Sequence, residues 1–173
     1  ATGSLLLTTS LRPESPEPYV RSHVSAAAHI RMRTLSLFEL GLSNASVSLT
    51  GLLDGRFDPV TKNVSIRTIA SYICKGGWPF ARETDPARAL ERAGRHLGDI
   101  LATDVTAMGK KPSTAQDVLA ATAECEGDFT YARIAQTMEV HGAKPPSRNT
   151  LAAYLGVLER LYLVERLDGW AAP

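Results

Sequence analysis

Between Phe129 and Trp170 the order of caps, breakers and apolar spacings spells one supersecondary unit, and no other stretch constrains the fold as tightly. Thr130 is a capping residue ahead of Ile134, Ala135 and Met138, and Gly142, Pro145 and Pro146 then break the chain. Ser147 caps a second helix in which Leu151, Tyr154, Leu155 and Leu158 recur on one face. The apolar run Leu161–Val164, followed by Asp168-Gly169, predicts a strand entering a turn. Helix, turn, helix and strand in this order predict a winged helix-turn-helix over residues 128–173.

Upstream, helical spacing continues. Asp85 is a good N-cap with Pro86 at the first helical position, and Leu90, Ala93, Leu97, Ile100, Leu101, Val105 and Met108 follow at three- and four-residue steps. Gly109 to Pro112 end that helix, and Ser113 with Gln116 forms a capping box for the next, which should turn Val118, Leu119 and Thr122 inward. An earlier helix carries Ile66, Ile69, Ala70 and Ile73 and stops at Gly76-Gly77, with Cys74 expected to be buried in it. The Gly76-Gly77-Trp78-Pro79 corner reads equally as a hinge, a close-packing joint or a plain helix stop. Residues 61–127 thus predict a helical linker or lid domain. In residues 1–60, Ser36–Gly41 and Leu49–Leu53 read as short helical connectors. The continuous apolar run Ser4–Thr8 predicts a strand covered on both faces, and the alternation His29–Arg33 predicts a second, half-buried one. The fold class is therefore mainly α, with short strands near the start and a C-terminal winged helix-turn-helix.

Composition limits function. With 44% hydrophobic and 21% charged residues over 173 positions, the chain can bury one moderate core or two small ones. Its apolar runs fall far short of the roughly 20 residues needed to cross a bilayer, and no secretory pattern precedes residue 30, so a cytoplasmic location without membrane partners is expected. Cys74 and Cys125 lack metal-ligand spacing, and no Walker A loop, dinucleotide fingerprint, nucleophile elbow or zinc spacing occurs, so neither a catalytic residue nor a metal site is predicted. His96, alone on its helix, and the acidic cluster Glu124, Glu126 and Asp128 read as structural or solvated groups. A net charge of +1 gives no strong overall field, so nucleic-acid binding would need a local patch. The candidates lie on the second helix of the helix-turn-helix: Arg148 and Asn149 at its N-terminal end, where base edges are reached, and Arg160 further along. Between Asp128 and Pro173, however, Arg133, Lys144, Arg148, Arg160 and Arg166 are balanced by Asp128, Glu139, Glu159, Glu165 and Asp168. A neutral, small-residue helix face also suits contact with a protein.

One ordered set of segments resembles a known family. Leu7-Thr8-Thr9-Ser10, Ile30–Glu39, Gly76-Gly77-Trp78-Pro79, and then Arg148-Asn149-Thr150, Tyr154-Leu155, Leu158–Leu161 and Trp170 look like the bacterial AAA-type P-loop ATPases that carry a C-terminal domain of unknown function. The resemblance implies that residues 1–60 are the C-terminal end of an ATPase core, whose P-loop and acidic strand would lie before Ala1. ATP and magnesium are then implied for the parent family and for no site in this chain. It also implies that Thr8, Thr9 and Ser10 end the strand that senses nucleotide phosphates, with Arg31 and Arg33 as basic candidates beside them. In the winged helix it marks Arg148, Asn149, Thr150 and Arg160 as contacts to DNA, to the missing ATPase core or to other protein subunits. The function expected on these grounds is that of a non-catalytic C-terminal portion of an AAA-type ATP-binding protein. The alternative is a structural protein-interaction module, a degenerate relative that binds neither DNA nor nucleotide.

Overall fold

A computed structural model of the chain describes residues 8–11, 30–56, 63–82, 85–125 and 129–167. Among these lie helices α1 (Leu49–Leu53), α2 (Ile66–Lys75), α3 (Pro86–Ile100), α4 (Pro112–Ala123), α5 (Tyr131–Val140) and α6 (Arg148–Arg160). A 3-10 turn occupies Pro79–Ala81, and a π-helical stretch, Leu101–Val105, extends α3. The described architecture is mainly α. The chain divides into two compact units, one of residues 28–97 and one containing residues 98–173.

In the unit containing 98–173, α4 packs against α5, α6 and the π-helical stretch, and α5 packs against α6. The expected apolar faces supply the core: Val118 from α4, Ile134 and Met138 from α5, and Leu151, Leu155 and Leu158 from α6 are buried, together with Leu101 and Val105. The caps predicted for the last two helices form. Thr130 accepts from the Arg133 N–H at 3.2 Å, and Ser147 from the Thr150 N–H at 3.3 Å. At α4 the expected Ser113 cap does not form, because Pro112 at the first helical position starts the helix before Ser113. The Lys111 N–H ahead of it donates instead to the Tyr154 hydroxyl at 3.1 Å, a polar tie across 43 residues that is partly buried.

The predicted strand Leu161–Val164 is a turn. Tyr162 donates to the Glu159 carbonyl at 3.1 Å and Leu163 to the Leu158 carbonyl at 3.0 Å, so the backbone donors of the apolar run close the end of α6 and none is left for a ladder. Tyr162 takes the left-handed conformation this closure needs, at φ 58°. Gly142 closes α5 by the same pair of bonds, to Glu139 and, through Ala143, to Met138, at φ 75°. Of the other predicted strands, residues 30–33 form none, since a lone alternating run has no neighbouring strand among the described residues to satisfy its backbone. Ser4 to Leu7 lie outside the described residues, as do 168–173, where the wing turn was expected.

The unit 28–97 is built from local devices. Ser36 and Glu39 form a reciprocal box: the Ser36 N–H and hydroxyl both donate to the Glu39 carboxylate at 2.8 Å, and the Glu39 N–H donates back to Ser36 Oγ at 3.3 Å. Gly76-Gly77 resolves into two roles. Gly76 stops α2, while Gly77 is a close-packing joint: its carbonyl accepts from the Leu35 N–H at 2.7 Å, and a Cβ at 77 would run into the Leu35 backbone. Beyond it, Trp78 stacks on Phe80 and meets the edge of His96, which gives that histidine a structural role. Cys74 is exposed, not buried as its apolar neighbours suggested, and Ile66, Ile69 and Ile73 of α2 are exposed as well.

Candidate functional site

The helix-turn-helix segment sets out its second helix in a definite way. Leu151, Tyr154, Leu155, Val157 and Leu158 are buried, which leaves Asn149, Ala152, Ala153, Gly156 and Arg160 along the opposite side of α6, with Arg148 at its start. Arg148, Asn149 and Thr150 are exposed at the first three helical positions. Thr150 is also part of the cap, its hydroxyl 2.9 Å from that of Ser147. The sequence candidates on α6 are thus brought onto one helix, with Asn149 and Arg160 on one face and Arg148 beside them.

Two residues absent from the sequence candidates complete this end. Tyr131, the first residue of α5, lies beneath Arg148, whose guanidinium carbon stands 5.6 Å from the centre of the ring. Arg166 pairs with Glu159 at 3.1 Å. The Tyr131 side chain first, and the Glu159 carboxylate second, push the Arg166 guanidinium further above its ordinary range. Nothing in local spacing links positions 131, 148 and 166. The one signal available in the sequence was an aromatic residue directly after a helix cap, which a core position explains as well.

The remaining candidates stand elsewhere. Thr8, Thr9 and Ser10 are exposed, and the Thr9 hydroxyl is engaged locally, accepting from the Leu11 N–H at 3.2 Å and facing the Leu11 carbonyl at the same distance. Arg31 is half-buried and Arg33 exposed in the unit 28–97, where Glu39 is held by Ser36. Of the acidic cluster, Glu124 binds His141 at 2.6 Å across the ends of α4 and α5, and Glu126 and Asp128 lie outside the described residues. No group of metal-binding side chains occurs among the described residues, and no helix there is long and apolar enough to cross a membrane.

Residues 66–173, more than half of the chain, match the family described as a domain of unknown function, DUF8612. No curated protein and no solved structure matches the chain.

Proposed function

We propose, for a chain that belongs to the family described as domain of unknown function DUF8612, a non-catalytic binding role in which α6 is laid against duplex DNA. The observation that carries this reading is the exposure of Arg148, Asn149 and Thr150 at the start of a helix whose opposite side is buried. Exposed donors at a helix N-terminus can reach phosphates as well as base edges, and Ala152, Ala153 and Gly156 allow a backbone to come close. We read α4, α5 and α6 as the helical part of a winged helix-turn-helix; the packing of α4 on both of the others supports this. The resemblance to AAA-type ATPases supports a wider reading, that of the C-terminal portion of a cytoplasmic ATP-binding protein whose ATP and magnesium belong to the parent's core.

The five cations and five acids of 128–173 predict weak contact, because few phosphates are neutralised. Fluorescence polarisation of labelled duplex DNA at low and moderate salt tests the proposal, with Arg148→Ala/Asn149→Ala alongside. The expected result is binding that falls with salt and is lost in the double variant. No binding at either salt would overturn it. A second reading, a protein-interaction module, is favoured by the apolar side chains that the unit 28–97 leaves exposed, among them Leu37, Phe38, Ile66 and Ile73. Self-association insensitive to salt would select it.

A further inference from the structure

Arginine presents its charge in a plane. When its face rests on an aromatic ring, the five N–H donors still point outward along the edge, available to a phosphate, while the side chain has lost most of its freedom to swing away. Arg148 stands over the Tyr131 ring, its guanidinium carbon 5.6 Å from the ring centre, and is exposed. The second arginine is treated differently: Arg166 pairs with the Glu159 carboxylate at 3.1 Å. Tyr131 presents its ring to Arg148 and leaves Arg166 to the carboxylate. It does so from the first turn of α5, whose Ile134 and Met138 are fully buried, so the platform is fixed to the core.

We infer that Tyr131 is the positioning residue for Arg148, fixing its guanidinium at the start of α6 as the phosphate contact of the DNA-binding face. The inference rests on the DNA reading above and adds to it a residue that touches no nucleic acid itself. It is the ring that faces Arg148, so two variants separate ring from hydroxyl. Tyr131→Phe keeps the ring and should bind duplex DNA within about twofold of the native chain. Tyr131→Leu removes the platform and should bind about 2- to 5-fold more weakly, in line with an exposed cation–π contact. A residue that acts only through Arg148 has no effect once Arg148 is gone. In the Arg148→Ala background Tyr131→Leu should therefore leave affinity unchanged. In the native background it should lower the slope of log K against log salt toward that of Arg148→Ala, a change of up to about one.

The experiment is the same polarisation titration on the full chain, run for these variants at several salt concentrations, with thermal melts in parallel. The inference is overturned if Tyr131→Leu binds like the native chain, if Tyr131→Phe is as weak as Tyr131→Leu, or if Tyr131→Leu weakens binding equally with and without Arg148. Absence of binding by the native chain overturns the DNA reading and this inference with it, whereas binding by the native chain with any of the three results above overturns this inference alone.

Discussion

The two units place their apolar side chains in opposite ways. Around α4, α5 and α6 the predicted faces turn inward, and Ile134, Met138, Leu151, Leu155 and Leu158 are sealed. In the unit 28–97 the described residues bury only Ala81 and Ala89, while Ile66 is 77% and Ile73 76% exposed on a helix of equally clear periodicity. Periodicity states which side of a helix is apolar. It does not state whether the chain supplies something to cover that side. What differs is the sequence between the helices: short breakers at Gly142–Pro146 fold α6 back within reach of α5, and α4 packs on both.

The sharpest way to break this comparison is truncation of one leucine on each side of it, or its isoleucine equivalent. Leu155→Ala removes a fully buried side chain from the packed unit and should cost about 2–5 kcal/mol in urea denaturation. Ile73→Ala, on the open face of α2, should stay within about 0.5 kcal/mol. Comparable losses at the two sites would mean that the α2 face is covered in solution.

The unit 28–97 has a different vulnerable point, its backbone joint. Gly77→Ala puts a methyl group against the Leu35 backbone, which cannot turn aside as a side chain could, and it threatens the bond from the Leu35 N–H. A loss of about 1–3 kcal/mol is expected, with faster amide exchange at Leu35 and little change around Leu155. Unchanged exchange at Leu35 would show that the joint does not hold that segment.

A smaller effect probes the polar tie of the packed unit. Tyr154→Phe keeps the ring in the core and removes the acceptor for the Lys111 N–H. The expected cost is about 0.5–1.5 kcal/mol, read as a shifted denaturation midpoint with an unchanged slope. Tyr154→Phe as stable as the native chain would mean that water replaces the hydroxyl at α4.

How far the sequence was legible follows from the same contrast. Caps and faces at Thr130, Ser147, Asp85 and Ser65 act over three or four residues, and such signals were readable for the first three of these before any fold was known. The strand expected at Leu161–Val164 was not, because an apolar run looks the same whether it pairs with a neighbour or folds back to cap the helix before it. Here Tyr162 at positive φ settles the matter, and tyrosine, unlike the Gly142 that ends α5, carries no advance sign of that conformation. At the candidate site, Arg148 and Asn149 could be placed from helix position alone. Tyr131 and Arg166 could not, since what joins them to Arg148 is the return of α6 onto α5.

The smallest expected effect lies in the open unit and depends on pH. The Glu39 carboxylate accepts from the Ser36 backbone N–H and, second, from its hydroxyl, and these bonds hold it below the ordinary carboxylate range. A folded-state value below the unfolded one means that the contribution is present above the unfolded carboxylate pKa and is lost as pH falls through the lowered folded value. The box is exposed, so the effect should be confined to residues 36–41 and should not move the global midpoint. Chemical shifts of the Ser36 and Glu39 amides followed by NMR from neutral to acid pH should titrate together on the acid side of the ordinary carboxylate range, and Glu39→Gln should abolish the step. A shared step at or above the ordinary range would show that the box does not hold the carboxylate. A step that also appeared at the Leu155 amide would show that the titration is not confined to the box.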